Sequence, residues 1–498
     1  MARIIVIMLA MILSLLVEAE EVKEMTKKVK EHGQIFTPDY LVKDILDIAG
    51  YKVGDSVLQK HVIDNACGDG AFECEIVRRY IKSFYRRSSD KRQLAVELST
   101  YIHGIELDTA AYNVCIAQLN RIVSDEEIEG VIWDIRNADT ITVTDYDGKM
   151  DFVVGNPPYV RVHNLNDDFS RVKKFEFCNG GMTDLYLMFY ELSFRMLHEN
   201  GHLCFITASS WLNSLAGANM RKYIATNRCL KAVVDLGHFQ PFNATTYTAI
   251  AHFVKGKKFD EIEYSHYNAP NNIKKVAKVP YEDAFFDNAI YLGVLNAVRD
   301  LKLIKTNSYP ATVSVKNGFA TLADPVFISN EFPFEQYVIP VIKASTGRWR
   351  KAFYPYDANG KPYAKSEIFA NEKIAGYLND HKSELLKGKD ESHCPEWYLY
   401  GRTQALKDVW TKKYAINTVI KDASSVKLNL VPSGSGVYSG LYILTDIPEE
   451  TLRAVLCSDD FVQYISMLKK YKSGGYYTFS SKELAQFLNF KLNQKKGE

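Results

Sequence analysis

Along the first half of the chain, apolar positions alternate between a helical rhythm and short continuous runs. Leu41, Ile45 and Ile48 share one face of a segment that opens at Thr37-Pro38 and runs to about Ala49. Thr37 is the expected N-cap and Pro38 the first helical residue, because a ring-locked φ suits a position with no N–H partner. A short apolar strand is predicted over His61 to Asn65, then a Gly-containing turn and a helix from Ala71. The pattern repeats: strand Tyr101 to Glu106, helix Thr109 to Arg121, strand Val131 to Arg136, strand Asp151 to Gly155. A helix over Asp184 to Leu197 leads through Asn200-Gly201 to a strand at His202 to Thr207. Leu230 to Leu236 and Thr248 to Val254 also read as strands.

Strands alternating with helices predict an α/β, doubly wound, mostly parallel sheet. The alternation fades after about Lys258, where the chain becomes mixed and rich in Tyr and Gly. The expected organisation is therefore an apolar lead-in over 1–32, an α/β domain over 33–258, a connecting segment over 259–315, and a mixed α+β domain over 316–498. The 498-residue length fits two to three domains, and 47% hydrophobic with 24% charged residues fits a globular chain.

Charge changes this picture little. The net charge is +1, which excludes a uniformly basic nucleic-acid binder, although 331–498 carries a balance of about +5. The 8 Cys form no CxxC pair and His shows no ligand spacing, so reduced thiols and no metal are expected. The apolar run Ile4 to Val17, after Arg3 and before Glu18, Glu20 and Glu21, has the outline of a secretory leader. It is short for a transmembrane helix. A packed N-terminal helix, or a natural start at Met25, suits the cytoplasmic enzyme that the rest of the chain suggests.

The candidate chemistry sits at strand ends. Asp64-Asn65-Ala66-Cys67-Gly68-Asp69-Gly70 joins a strand to a helix, with glycines where a backbone turns sharply or approaches a ligand. It matches neither a GxGxxG fingerprint nor a phosphate loop. Glu106 closes the next strand, where an acid can accept hydrogen bonds from ribose hydroxyls. Asp139 follows the third strand and suits an adenine amino group. Asn156-Pro157-Pro158-Tyr159 follows the fourth. An exocyclic amine is a poor nucleophile, and two acceptors, the Asn156 side-chain oxygen and the Pro157 carbonyl, would hold its hydrogens. The prolines stiffen the backbone and Tyr159 offers a flat face for stacking. Taken singly, each acid also fits a solvated loop, and Arg161 to Lys174 fits either phosphate contact or an ordinary basic loop.

With these motifs in this order, the sequence resembles the gamma class of adenine-N6 DNA methyltransferases of type II restriction–modification systems. Phe36-Thr37-Pro38 resembles the family's leading motif, which places Thr37 at the cofactor. Asp64 to Gly70 resembles its S-adenosylmethionine (AdoMet) loop, with Asn65 and Asp69 where Pro and Ser are commoner, and implies contacts from Asp64, Ala66, Cys67, Gly68 and Gly70. The resemblance makes Glu106 the ribose acid, Asp139 the adenine acid, and Asn156 to Tyr159 the catalytic tetrapeptide. Gln240 to Ile250 resembles the segment whose Phe packs on the flipped base, which implies that role for Phe242 beside Tyr159. Trp397 to Gln404 and Tyr471 to Tyr477 resemble parts of a target-recognition domain.

The resemblance thus implies an AdoMet-dependent methyltransferase domain of Rossmann-like fold over 33–258 and a target-recognition domain over 316–498. It implies AdoMet as co-substrate without a metal, double-stranded DNA and a separate restriction endonuclease as partners, and no membrane. The same tetrapeptide serves enzymes that methylate RNA or protein glutamine, but these lack the leading motif and a large C-terminal domain. For a fused enzyme that cuts and methylates, too few residues precede Phe36. A non-catalytic protein on this fold would not need an intact Asn156 to Tyr159.

Overall fold

The computed structural model describes residues 37–160, 169–180, 183–242 and 246–494. The apolar run near the start, Phe36, and most of the Arg161 to Lys174 loop's first half lie outside the described residues. The chain divides into two compact units, Met1–Val298 and Arg299–Glu498.

The first unit is built on a nine-stranded sheet in the order β3-β2-β1-β4-β5-β7-β6-β8-β9. Its strands are β1 (Val62–Asp64), β2 (Ile102–Glu106), β3 (Asp134–Asn137), β4 (Met150–Gly155), β5 (Leu197–Ala208), β6 (Leu230–Asp235), β7 (Thr248–Val254), β8 (Glu261–Ala269) and β9 (Asn272–Pro280). Strands β3, β2, β1, β4 and β5 run parallel, and β7 is antiparallel to both its neighbours. Chain order reverses between β1 and β4, so the loops after them diverge and leave a crevice at the carboxyl ends of the strands. Together the sheet and its helices make a doubly wound, Rossmann-like fold.

Helix α1 (Asp39–Ala49) buries Leu41, Val42, Ile45 and Leu46 and ends at Gly50 in the left-handed conformation. Its start differs from the sequence expectation. Pro38 is the N-cap, no side chain caps the helix, and Thr37 is left for other work. Helices α2 (Ala71–Phe84), α3 (Lys91–Tyr101) and α4 (Thr109–Asp125) follow, and α3 was not anticipated because its Lys91-Arg92-Gln93 start obscures the apolar spacing. The core of this half joins α1, α2, α3 and α4 through Leu46, Val77, Leu98 and Leu119, all fully buried.

The segment expected to be a connection, 259–315, is mostly structured. Strands β8 and β9 pair antiparallel and extend the sheet through β6, so the first unit continues past Lys258. Alternating burial in β8 marks one face on the core and one face outward, a pattern that resembles loop composition when read residue by residue. The Tyr267 hydroxyl donates to Asp44 Oδ2 at 2.5 Å, which ties this hairpin to α1.

The second unit is mixed α+β. An antiparallel sheet of four strands contains Ser314–Asn317, Leu441–Leu444, Lys413–Ile416 and Leu428–Val431. A second four-stranded sheet contains Ile328–Ser329, Arg348–Phe353, Val338–Lys343 and Gly436–Tyr438. Trp397, Tyr398 and Tyr400, singled out in the sequence, are buried in this unit's aromatic core. Among the described residues no helix is long and apolar enough to cross a membrane.

Candidate active site

The ends of β1, β2, β3 and β4 converge on one cavity of about 310 Å³, within the size range of small-molecule sites. The β1 end supplies Asp64, Ala66, Cys67 and Gly68, and the β2 end supplies Glu106. Asp139, beyond β3, and Asn156 and Pro158, beyond β4, complete the set, with Thr37 beside them. Nine residues expected from sequence therefore share one lining.

Each acid is held by backbone. Asp64 Oδ1 accepts the Ala66 N–H at 2.9 Å. Burial pushes its carboxyl up to about 7, against that hydrogen bond, and the Glu106 charge adds to the rise. Glu106 Oε2 accepts the Gly68 N–H at 2.8 Å and Oε1 accepts the Asp108 N–H at 2.7 Å, so this side chain fastens the glycine loop to the end of β2. Burial also raises its pKa, more than these N–H groups lower it. Asp139 Oδ1 accepts the Ile141 N–H at 3.0 Å, while Oδ2 pairs with Arg171 at 2.6 Å. Arg171, from the short helix Phe169–Val172, reaches across the lining, a role that sequence reading left among the loop's basic residues.

In the tetrapeptide, Asn156 Nδ2 donates to Thr37 Oγ1 at 3.1 Å. The hydroxyl expected to cap a helix instead orients the amide of the tetrapeptide. The Tyr159 hydroxyl donates to the Ile206 carbonyl at 3.1 Å, and its ring meets Tyr186 edge-on at 6.2 Å. Val160 O accepts the Leu185 N–H at 2.7 Å, which anchors the end of the tetrapeptide to the following helix, Tyr186–Met196.

Four expected residues stand outside the lining. Pro157 is buried beside it. Tyr159 is half-buried against Ile206 and Tyr186. Gly70 takes φ +89°, and a Cβ there would stand 2.6 Å from Cys115 Sγ, so it allows close packing of the loop on α4. Phe242 is 7% exposed and belongs to the hydrophobic core with Leu236, Ile250 and Tyr267.

Sequence reading also missed Gly155. Its φ is +150°, and a Cβ there would stand 2.5 Å from Asp64 Oδ1. A glycine just ahead of the tetrapeptide was the available signal: β4 and the β1 carboxylate approach too closely for any side chain. Apolar lining from Phe72, Leu107, Ile141, Met188 and Phe189 escaped notice because these residues lie in different elements.

Residues 80–242 match the family model described as Eco57I restriction-modification methylase. The matched stretch lies within the first unit. The type II methyltransferase M.BstVI of Geobacillus stearothermophilus is 31% identical over 246 residues, which cover 46% of this chain and 43% of that protein. The type II restriction enzyme and methyltransferase RM.Eco57I of Escherichia coli is 23% identical over 484 residues, 75% of this chain and 48% of that protein. The chain thus spans about half the length of these relatives. Among solved structures, the type IIL restriction-modification enzyme MmeI, in complex with DNA, has a TM-score of 0.55 at 16% identity, covering 95% of this chain and 66% of that one. The methylase family model covers the glycine-loop helix from Tyr80, Glu106, Asp139, the tetrapeptide and Phe242.

Proposed function

We propose that this protein is a site-specific DNA methyltransferase that moves a methyl group from AdoMet to the N6 amine of an adenine extruded from duplex DNA. One observation carries the reading: a single cavity is lined by Asp64, Glu106 and Asp139 together with Asn156 and Pro158. The restriction–modification relatives support DNA as the substrate.

Glu106 and Asp139 would accept hydrogen bonds from the ribose and adenine of AdoMet, and Asp139 exchanges its partner Arg171 to do so. The loop acids favour a cationic ligand once ionised. AdoMet supplies an electrophilic methyl on a sulfonium. Asn156 Oδ1 and the Pro157 carbonyl accept the two amine hydrogens of the target, so its lone pair is turned toward that methyl. The N–C bond forms as the S–C bond breaks, the sulfonium charge is lost, and one amine proton passes to solvent. Neither a covalent enzyme intermediate nor a metal has a part in this transfer.

Extruding the base costs a few kcal/mol, and stacking on an aromatic face returns ~1–3 kcal/mol. Tyr159 fills that role. The second unit is the DNA-reading part, and a separate endonuclease is the partner whose cutting the methyl group blocks.

The test is incubation of the pure protein with labelled AdoMet and a plasmid, followed by single-molecule sequencing. Methyl-adenine at one short motif is expected. Label in RNA or protein of a lysate, and none in DNA, would overturn the substrate. Cleavage of the plasmid by the pure protein with Mg²⁺ would replace the separate endonuclease with a fused activity.

A further inference from the structure

Beneath the glycine loop lies a cluster in which Glu73 and Cys115 have no part in the proposed methyl transfer. Cys67 in the loop, Glu73 in the first turn of α2 and Cys115 in α4 bring two Sγ atoms and a carboxylate oxygen within 4.8 Å of one another. All three residues are buried. Glu73 is 0% exposed, and neither of its carboxylate oxygens has a hydrogen-bond partner. Two glycines make the space: a Cβ at Gly104 would stand 3.3 Å from Cys67 Sγ and 3.4 Å from Glu73 Oε1, and one at Gly70 would crowd Cys115.

A carboxyl buried without a hydrogen-bond partner is costly. Burial, reinforced by Asp64, drives the Glu73 pKa well up. The Cys67 thiol is likewise driven up, first by its hydrogen bond with Cys115 and then by burial. A cation between the three groups would reverse this, since each becomes an anionic ligand.

We propose that Cys67, Glu73 and Cys115 form a binding site for a thiophilic divalent cation of the zinc type. Two sulfur ligands exclude the hard cations, which take oxygen alone, and a Cys₂-carboxylate set suits zinc with a fourth position for water or another donor. Binding takes up the cation and releases two thiol protons and one carboxyl proton to solvent, with no change of oxidation state. The bound ion would fasten the AdoMet loop at Cys67 to α4 at Cys115. Local spacing could not announce this site, because its two thiols are far apart in sequence.

The full chain, reduced and stripped with a chelator, is titrated with Zn²⁺ alone and then with Co²⁺ as a spectroscopic probe. One equivalent of metal, a thiolate-to-cobalt charge-transfer band and a higher melting temperature are expected. Cys115→Ser should remove most of the band. Glu73→Gln should weaken Zn²⁺ binding at least about 10-fold, the loss that even outer-shell changes produce. Wild type that retains no metal and shows no band overturns the site, as does an unchanged Zn²⁺ affinity in Glu73→Gln, a near-isosteric variant suited to the case in which Cys115→Ser does not fold. None of these readouts uses methyl transfer, so this site and the methyltransferase reading fail separately.

Discussion

The two units place their buried polar groups to different ends. In the first, they hold loops: Glu106 receives two loop N–H groups, Asp64 receives one, and Thr37 orients Asn156. In the second, they brace a scaffold. The Tyr400 hydroxyl donates to the Phe353 carbonyl at 2.8 Å while its ring meets Phe319 at 5.4 Å and Phe327 at 5.1 Å. The Tyr354 hydroxyl donates to the Leu406 carbonyl at 2.7 Å. Polar groups that fix a loop are tied to the chemistry the loop performs. Those that fix an aromatic core are tied to stability alone.

That contrast is sharpest at Asn156. Asn156→Ala should lower methyl transfer by at least ~10²-fold, the scale for loss of one oriented polar group at a reacting centre. AdoMet affinity, measured by calorimetry, should stay nearly unchanged. Near-normal turnover would end the assignment of the tetrapeptide. Gly155→Ala comes next, because the new Cβ meets Asp64 and the backbone conformation resists it. Strain of about 1–3 kcal/mol is expected, with AdoMet binding weakened about 10-fold or more. An unaltered Kd would mean that Asp64 does not shape the cofactor end.

Tyr400→Phe probes the other side of the comparison. It removes one buried hydrogen bond and should cost about 1 kcal/mol in thermal or denaturant unfolding. AdoMet binding should not respond, and a response would join what the comparison separates. A pH-dependent effect belongs to Lys413, whose Nζ donates to the carbonyls of Asp408, Val409 and Thr411. Burial brings its pKa down to about 8, below the usual lysine value near 10.5. Between those values the unfolded chain binds more protons than the folded one, so stability from this group rises with pH across that window. The melting temperature of wild type minus that of Lys413→Met should climb from pH 8 toward 10, and a flat difference would refute it.

The sites at strand ends were legible because each is a few residues of chain at a place the fold rule already marks. Asp64 and Glu106 end predicted strands, Asp139 and Asn156 follow them, and all four line one cavity. Thr37 was legible as a motif but not as a partner of Asn156, since local chemistry favours a helix cap. Phe242 was legible as an aromatic before a strand, yet a neighbouring core drew it in. Strands β8 and β9 escaped because an edge hairpin alternates polar and apolar residues and shares its composition with loops.

By itself, the sequence determined the order of β1 to β7 with α1, α2 and α4, and the residues at their ends, because periodicity and tight turns act over a few residues. Tertiary structure alone decided what long separations bring together: Gly155 against Asp64, Arg171 on Asp139, Asn156 on Thr37, and Cys67 with Glu73 and Cys115. Such contacts depend on how closely the sheet and helices pack, and no local pattern encodes that distance.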